Sequence, residues 1–211
     1  MITVIDYGRG NLFSLSQALD RIGAAHEITM VPAQLEAAER IIFPGVGAFG
    51  DAAAGLRERG LESALRAAAA RGVPILGICV GCQLLLETGE EFGLHEGVGF
   101  IPGTVSRLPE PDADDPAGIR IPNVGWRHLL IEAADPLLGP MKGQMLYFVH
   151  SYAPMVTNPE HAVAHLQINR HRIPVAIRRE NIAGVQFHPE KSGPVGLALL
   201  ERFCGWTPSA H

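Results

Sequence analysis

Two segments far apart in the chain carry side chains able to do covalent chemistry. The first is Pro74-Ile75-Leu76-Gly77-Ile78-Cys79-Val80-Gly81-Cys82-Gln83, an apolar strand pattern that runs into Gly-x-Cys-x-Gly and straight on into a helix pattern. A turn of this shape forces its central residue into a strained conformation, so only small neighbours such as Gly77 and Gly81 can approach it closely. It presents Cys79 clear of the backbone at a helix N-terminus, where free N–H groups and the macrodipole favour a thiolate. It also aims the Val80 N–H at an oxyanion. The second segment is Gly184-Val185-Gln186-Phe187-His188-Pro189-Glu190-Lys191. Alternate residues of an extended segment face the same way, so His188 and Glu190 share a face, with Pro189 between them forbidding helix. Glu190 can then hold one imidazole nitrogen and fix the tautomer, leaving the other to exchange protons with the sulfur. Nucleophile, base and orienter are all present.

Each segment also has a plainer reading. A cysteine on an apolar strand is usually an inert small hydrophobe, and His-Pro-Glu alone could be a surface turn. Their placement argues otherwise, because both follow apolar strands, where open α/β sheets carry their sites. Cys79 and Cys82 spell Cys-x-x-Cys, but a thioredoxin-like redox pair leaves Gly81 and His188-Pro189-Glu190 without a role. Cys82, on the first helical turn, and Cys204, near the chain end, read as packing. The nine histidines show no paired metal-ligand spacing with cysteine, so no metal is expected. Three cysteines are an odd count, and a nucleophilic thiol must stay reduced, which favours a cytoplasmic address.

The elements that must position these residues alternate strand and helix through the first half. Strands are expected at 2–5, 40–43 and 73–78, and helices at 11–22, with Asn11 available as a cap, at 52–70, and from the elbow to about 87. Such alternation implies parallel strands with crossover helices. The second half changes to short strand-like runs at 97–105, 144–152, 162–167, 175–177 and 183–187, then a closing helix at 193–204, so mixed or antiparallel pairing is added. Residues 109–116, rich in proline and acid, read as a solvated loop. A length of 211 residues with 47% hydrophobic content suits one domain over 1–211. A net charge of -5, 6% aromatics and no basic run disfavour nucleic-acid or anionic-membrane surfaces. The apolar stretch from Val73 to Leu86 is broken by glycines and Gln83 and is too short to span a bilayer, and Met1 to Asp6 has no basic n-region.

Gly77-Ile78-Cys79-Val80-Gly81-Cys82-Gln83, followed far downstream by Gln186-Phe187-His188-Pro189-Glu190, resembles the triad-type (class I) glutamine amidotransferases. Within that class, Asp6-Tyr7-Gly8-Arg9-Gly10-Asn11, Phe43-Pro44-Gly45-Val46-Gly47-Ala48-Phe49, Tyr147-Phe148-Val149-His150-Ser151-Tyr152 and His188-Pro189-Glu190-Lys191-Ser192 look like the glutaminase subunits of imidazole glycerol phosphate synthases. The resemblance spans nearly the whole chain. It implies a three-layer α/β fold, an open and mostly parallel sheet with helices on both faces and antiparallel strands added in the second half. It implies glutamine hydrolysis by Cys79, His188 and Glu190 with no cofactor. By the same resemblance, Val46 and Gly47 join Val80 in the oxyanion hole, and Gly45, Gln83, Ser151 and Tyr152 hold the substrate.

A partner is implied as well, a (β/α)8-barrel cyclase subunit in a cytoplasmic heterodimer. It would use the ammonia to make imidazole glycerol phosphate and AICAR in histidine biosynthesis. Asn11, Asn123, Trp126, Tyr147 and Lys191 would face it, while His150 reads as structural. Where the family commonly has Pro-His-Met-Gly-Trp-Asn, this chain has Pro122-Asn123-Val124-Gly125-Trp126-Arg127, a departure on the presumed interface segment. The alternatives are a glutaminase feeding another synthase, anthranilate-type or sugar-aminating, and a non-catalytic binding module of the same fold. The intact Cys79, His188 and Glu190 speak against the last.

Overall fold

The computed structural model describes residues 1–110, 120–131, 135–168 and 170–208. Its first half runs β1 (Ile2–Ile5), α1 (Leu12–Arg21), β2 (His26–Thr29), α2 (Pro32–Glu36), β3 (Ile41–Gly45), α3 (Phe49–Glu58), α4 (Leu61–Ala70), β4 (Ile75–Cys79) and α5 (Val80–Leu84). There follow β5 (Leu86–Gly89), β6 (His95–Glu96), β7 (Ile101–Arg107), β8 (Asn123–His128), β9 (Met145–His150) and β10 (Tyr152–Val156). The chain closes with β11 (Ala162–Ile168), β12 (His171–Arg179), β13 (Ile182–Val185) and α6 (Gly193–Gly205).

Among the described residues a seven-stranded sheet has the order β11-β12-β13-β4-β3-β1-β2, parallel from β13 to β2 and antiparallel at β11 and β12. The central strands β1, β3, β4 and β13 are buried at every position, as expected of strands covered on both faces. Helices α1 and α6 pack together, while α2 packs on α4 and α3 on both α4 and α5. Right-handed crossovers put these two groups on opposite faces, because the connection from β1 to β2 runs across the sheet one way and those from β2 to β3 and β3 to β4 run the other. This is the α/β architecture expected. A four-stranded sheet, β10-β7-β5-β6, and a two-stranded ribbon, β8-β9, are added in the second half.

Parallel register sets the site. Gly45 stands beside Cys79 and Val185 beside Ile78, so the chain leaves β3, β4 and β13 at the same edge of the sheet. The loop after β3, the elbow after β4 and the segment carrying His188 therefore converge. The ribbon is tied to that edge, since His188 N–H donates to Tyr147 O at 3.0 Å and Tyr147 N–H donates to Ser192 Oγ at 3.0 Å.

Several elements differ from expectation. The alanine-rich stretch at 52–70 is two helices, because Gly60 takes a left-handed conformation at φ 66° and stops the first. The elbow helix ends at Leu84, and β5 begins at Leu86. The run at 144–152 is two strands, β9 and β10, and β2 and α2 are elements the apolar pattern did not mark. Asn11 precedes α1 without a side-chain cap hydrogen bond, its carbonyl alone accepting from Leu15 N–H at 3.3 Å. Of the acidic loop at 109–116, positions 111–116 lie outside the described residues.

Candidate active site

Cys79 adopts φ 56° and ψ -113°, a region that a residue with a Cβ enters only under strain of about 1–3 kcal/mol. The surrounding packing holds it there. A Cβ on Gly81 would lie 1.8 Å from Phe43 O, so the first turn of α5 sits directly on β3 and no other residue fits. The strained elbow read from Gly-x-Cys-x-Gly is what the backbone shows. With five residues, however, α5 has only a short dipole to offer the sulfur.

His188 Nδ1 and Glu190 Oε1 are 2.8 Å apart, and both side chains are only 3% exposed. The contact is the expected one, but the route to it is different. Pro189–Lys191 is a 3-10 turn rather than extended chain, so Glu190 comes back under the ring through the turn instead of by strand alternation. Ser192 Oγ pins the turn by donating to His188 O at 2.6 Å. Burial opposes a charge on His188, yet Cys79 and Glu190, each by hydrogen bonding and by charge, outweigh it and raise its pKa to about 10. Nε2 is buried without a well-formed hydrogen bond, and Cys79 is the acidic neighbour left to share its proton.

A cavity of about 330 Å³ opens beside the sulfur, within the size range of small-ligand sites. It brings together Val46, Gly47, Cys79, Val80, Gln83, Ser151, Tyr152 and His188. Gly47 takes φ +93° with nothing within 4 Å of a would-be Cβ, so glycine is required there by the turn of the loop and not by crowding. Gly45 lies behind this cavity, lining a smaller space with Asn11 and Glu190. Gln83 is 3% exposed, which excludes a solvent-facing glutamine. Its Nε2 donates to Tyr152 O at 3.2 Å and to Gln186 Oε1 at 2.9 Å.

Four residues of the site carried no functional assignment in the sequence. Gln186, fully buried, turns its Nε2 to Cys79 Sγ at 3.7 Å; its signal was its place two residues before His188 on the same side of the chain. Glu91 lines the cavity and accepts from Phe49 N–H at 2.8 Å. Tyr7 is buried with its hydroxyl unpartnered against Gly45, and burial, helped by Cys79, pushes its pKa well up. His150 also reaches the cavity, held neutral by burial, which lowers its pKa to about 4 despite its bond to Tyr152 O.

The presumed partner residues separate. Trp126 and Lys191 are exposed and Tyr147 half-buried, with the Trp126 and Tyr147 rings edge to face at 6.1 Å. Asn11 is half-buried beside Glu190. Asn123 is corrected: it is 0% exposed and bonded inside the protein to His150 and Arg127, so it offers a partner no surface.

The sequence profile of the family described as "Glutamine amidotransferase class-I" matches residues 3–205. "Imidazole glycerol phosphate synthase subunit HisH" of Salinibacter ruber is 44% identical over 204 residues, covering 96% of this chain and 93% of its own length. The protein of the same name from Moorella thermoacetica is 46% identical over 203 residues, again covering 96% and 93%. Among solved structures, "Structure of PurLQS from Thermotoga maritima" superposes with a TM-score of 0.74 at 21% identity, covering 97% of each chain. "Crystal structure of glutamine amidotransferase" gives 0.69 at 21% identity, covering 98% of this chain and 100% of that one. At such identities the structures speak for the fold alone.

Proposed function

The chain belongs to the class-I glutamine amidotransferase family, and from that premise we propose how it works as the glutamine-hydrolysing subunit of an imidazole glycerol phosphate synthase. The observation that carries the division of roles is the 2.8 Å contact of His188 with Glu190 beside a strained Cys79 at the wall of one cavity. Cys79 Sγ attacks the γ-carboxamide carbon of glutamine, and the carbonyl oxygen becomes an oxyanion received by Val80 N–H and the Val46-Gly47 loop. His188 gives a proton to the departing nitrogen, which leaves as ammonia, and a γ-glutamyl thioester remains on Cys79. His188 then takes a proton from water. The hydroxide adds to the thioester, the sulfur leaves, and glutamate is released. Glu190 keeps the ring oriented and stabilises its charged form throughout. Glu91 supplies a carboxylate for the substrate's α-ammonium, and Gln83, Ser151 and Tyr152 line the same pocket.

Free ammonia is lost to solvent unless a second site consumes it, so the reading includes a cyclase partner of (β/α)8-barrel form in the reducing cytoplasm. The ribbon supports a docking face. Val124 pairs with Val149, Trp126 with Tyr147 and His128 with Met145, which puts Val124, Trp126, Met145 and Val149 on one side, each between 39% and 48% exposed. The test separates the two halves of the reaction: Cys79→Ala should abolish synthesis driven by glutamine in the assembled enzyme and leave synthesis driven by added ammonium salt. Retention of glutamine-driven synthesis would remove Cys79 from the chemistry.

A further inference from the structure

A line of side-chain hydrogen bonds runs from the ribbon to the nucleophile. Arg127 Nε donates to Asn123 Oδ1 at 3.0 Å. A guanidinium can only donate, so this contact decides which end of the Asn123 amide is oxygen. Asn123 Nδ2 must then donate to His150 Nε2, 2.9 Å away, which makes that nitrogen an acceptor and leaves the ring proton on Nδ1. Nδ1–H donates to Tyr152 O at 2.9 Å. The other lone pair of that carbonyl takes Gln83 Nε2 at 3.2 Å, and the second hydrogen of the Gln83 amide goes to Gln186 Oε1 at 2.9 Å. Gln186 Nε2 ends the line on Cys79 Sγ at 3.7 Å. The two halves of the line meet at the Tyr152 carbonyl, which accepts from both: Arg127 sets the order as far as the His150 tautomer, and reversing the Gln83 amide would set its oxygen against the oxygens of Tyr152 and Gln186.

We propose that Asn123 is a positioning residue for the substrate pocket, acting through His150 and the Tyr152 carbonyl to fix the amide of Gln83. With both hydrogens committed, Gln83 keeps only Oε1 without a partner among the described residues, and its side chain lines the cavity as an acceptor for a substrate N–H. The amide and imidazole links are almost wholly buried: Asn123 and Gln186 are 0% exposed, Gln83 3% and His150 6%. Unpaired polar groups there would be costly, so the line holds as a unit. It begins at Arg127, half-buried on β8, the strand that carries the exposed Trp126. Pocket geometry therefore depends on β8 keeping its register with β9. The proposal rests on the glutaminase reading only for the identity of the ligand.

Two substitutions test it in the full chain, assayed with its synthase partner. Asn123→Ala removes the donor to His150 Nε2. Asn123→Asp keeps volume and the contact with Arg127 but turns an oxygen to Nε2, so the ring must take a second proton to satisfy both sides. The charged and titratable groups around His150 are Arg127 beyond Asn123 on β8, His188 after β13, Cys79 at the head of α5 and Glu91 across the cavity. None of the others is altered by the substitution. Asn123→Ala should raise the KM for glutamine about ten-fold, the worth of roughly one buried hydrogen bond, with kcat within about two-fold. Asn123→Asp should make KM depend on pH across the neutral range, with an inflection absent from the unmodified protein. In both variants the Gln83 side-chain NH2 resonances should shift in the free chain. Unchanged Gln83 resonances, or a fall in kcat at constant KM, overturns the proposal. Should Asn123→Ala not fold, the volume-preserving Asn123→Asp decides alone. Should the unmodified complex not use glutamine, the glutaminase reading fails, and the Gln83 resonances still decide whether the line transmits.

Discussion

His188 and His150 border the same cavity yet hold different charge at neutral pH. Burial presses on both, but His188 has Cys79 and Glu190 to offset it and is raised to about 10, while His150 meets only neutral groups in its hydrogen bonds and is lowered to about 4. The linkage signs follow. His188, raised above the unfolded value of 6.5, stabilises the fold fully below about 6.5, and that contribution is lost as pH rises toward 10. His150, lowered from 6.5, contributes above about 6.5, and that contribution is lost as pH falls toward 4. Folding stability should therefore peak near neutrality, with each limb falling by at most about 1.4 kcal/mol per pH unit. Urea unfolding across a pH series measures this, and Cys79→Ser should shrink the alkaline limb by removing one of the partners that raise His188. An alkaline limb of unchanged size would mean the sulfur is not coupled to the ring. Glu190→Gln should leave a folded chain whose glutamine turnover drops by about 10²-fold or more, since an amide can contact Nδ1 but cannot balance the imidazolium. Turnover equal to the unmodified protein would make Glu190 structural.

Among the elements, the elbow is the least tolerant. Gly81→Ala puts a methyl into the Phe43 carbonyl, so α5 would have to lift off β3, and the variant should lose more than about 3 kcal/mol or fail to fold. Denaturant unfolding decides it, and a change under about 1 kcal/mol would mean the contact relaxes freely. Cys82→Met reads from sequence as a near-silent packing change. In the fold Cys82 is 0% exposed and its sulfur lies 2.7 Å from a would-be Cβ on Gly184, so the same substitution should cost about 1–3 kcal/mol. The elbow and the His188 segment were legible because each packs its chemistry and its apolar strand into a few consecutive residues. The split between α3 and α4 was not, because an alanine-rich run favours helix throughout and one left-handed glycine is visible only in the backbone. Asn123 was misplaced because the resemblance marks the segment Pro122 to Arg127 as a whole and does not say which of its residues turn inward, which only the buried partners of Asn123 reveal. Gln83 and Gln186 bond to each other across 103 positions of sequence, a distance over which no local pattern speaks.

At the scale of the whole molecule, the proposed chemistry and the proposed docking fall to parts of different construction. Cys79, the proposed nucleophile, ends β4, which lies inside the seven-stranded sheet with β3 and β13 paired on either side. The exposed apolar face of the ribbon belongs to β8-β9, among the described residues a sheet of two strands, which alone would be marginal in water. Trp126→Ala should accordingly weaken assembly with the synthase partner while leaving the fold and the Cys79 geometry intact; co-sedimentation or titration calorimetry reads the loss, and undiminished affinity would remove Trp126 from the interface. The two-stranded build has a further consequence in the free energies of local opening. Amide protons of β4 should exchange with solvent only when the protein unfolds globally, whereas those shared between β8 and β9 should exchange through a smaller, separate opening of the ribbon. Native-state exchange resolved by residue tests this, equal protection of both being the contrary result. If the ribbon does open alone, each opening breaks the bond between Asn123 and His150. The isolated subunit would then spend a measurable fraction of its time with an intact nucleophile and an unset pocket, and whatever clamps the ribbon shut would raise its affinity for substrate without touching the sulfur.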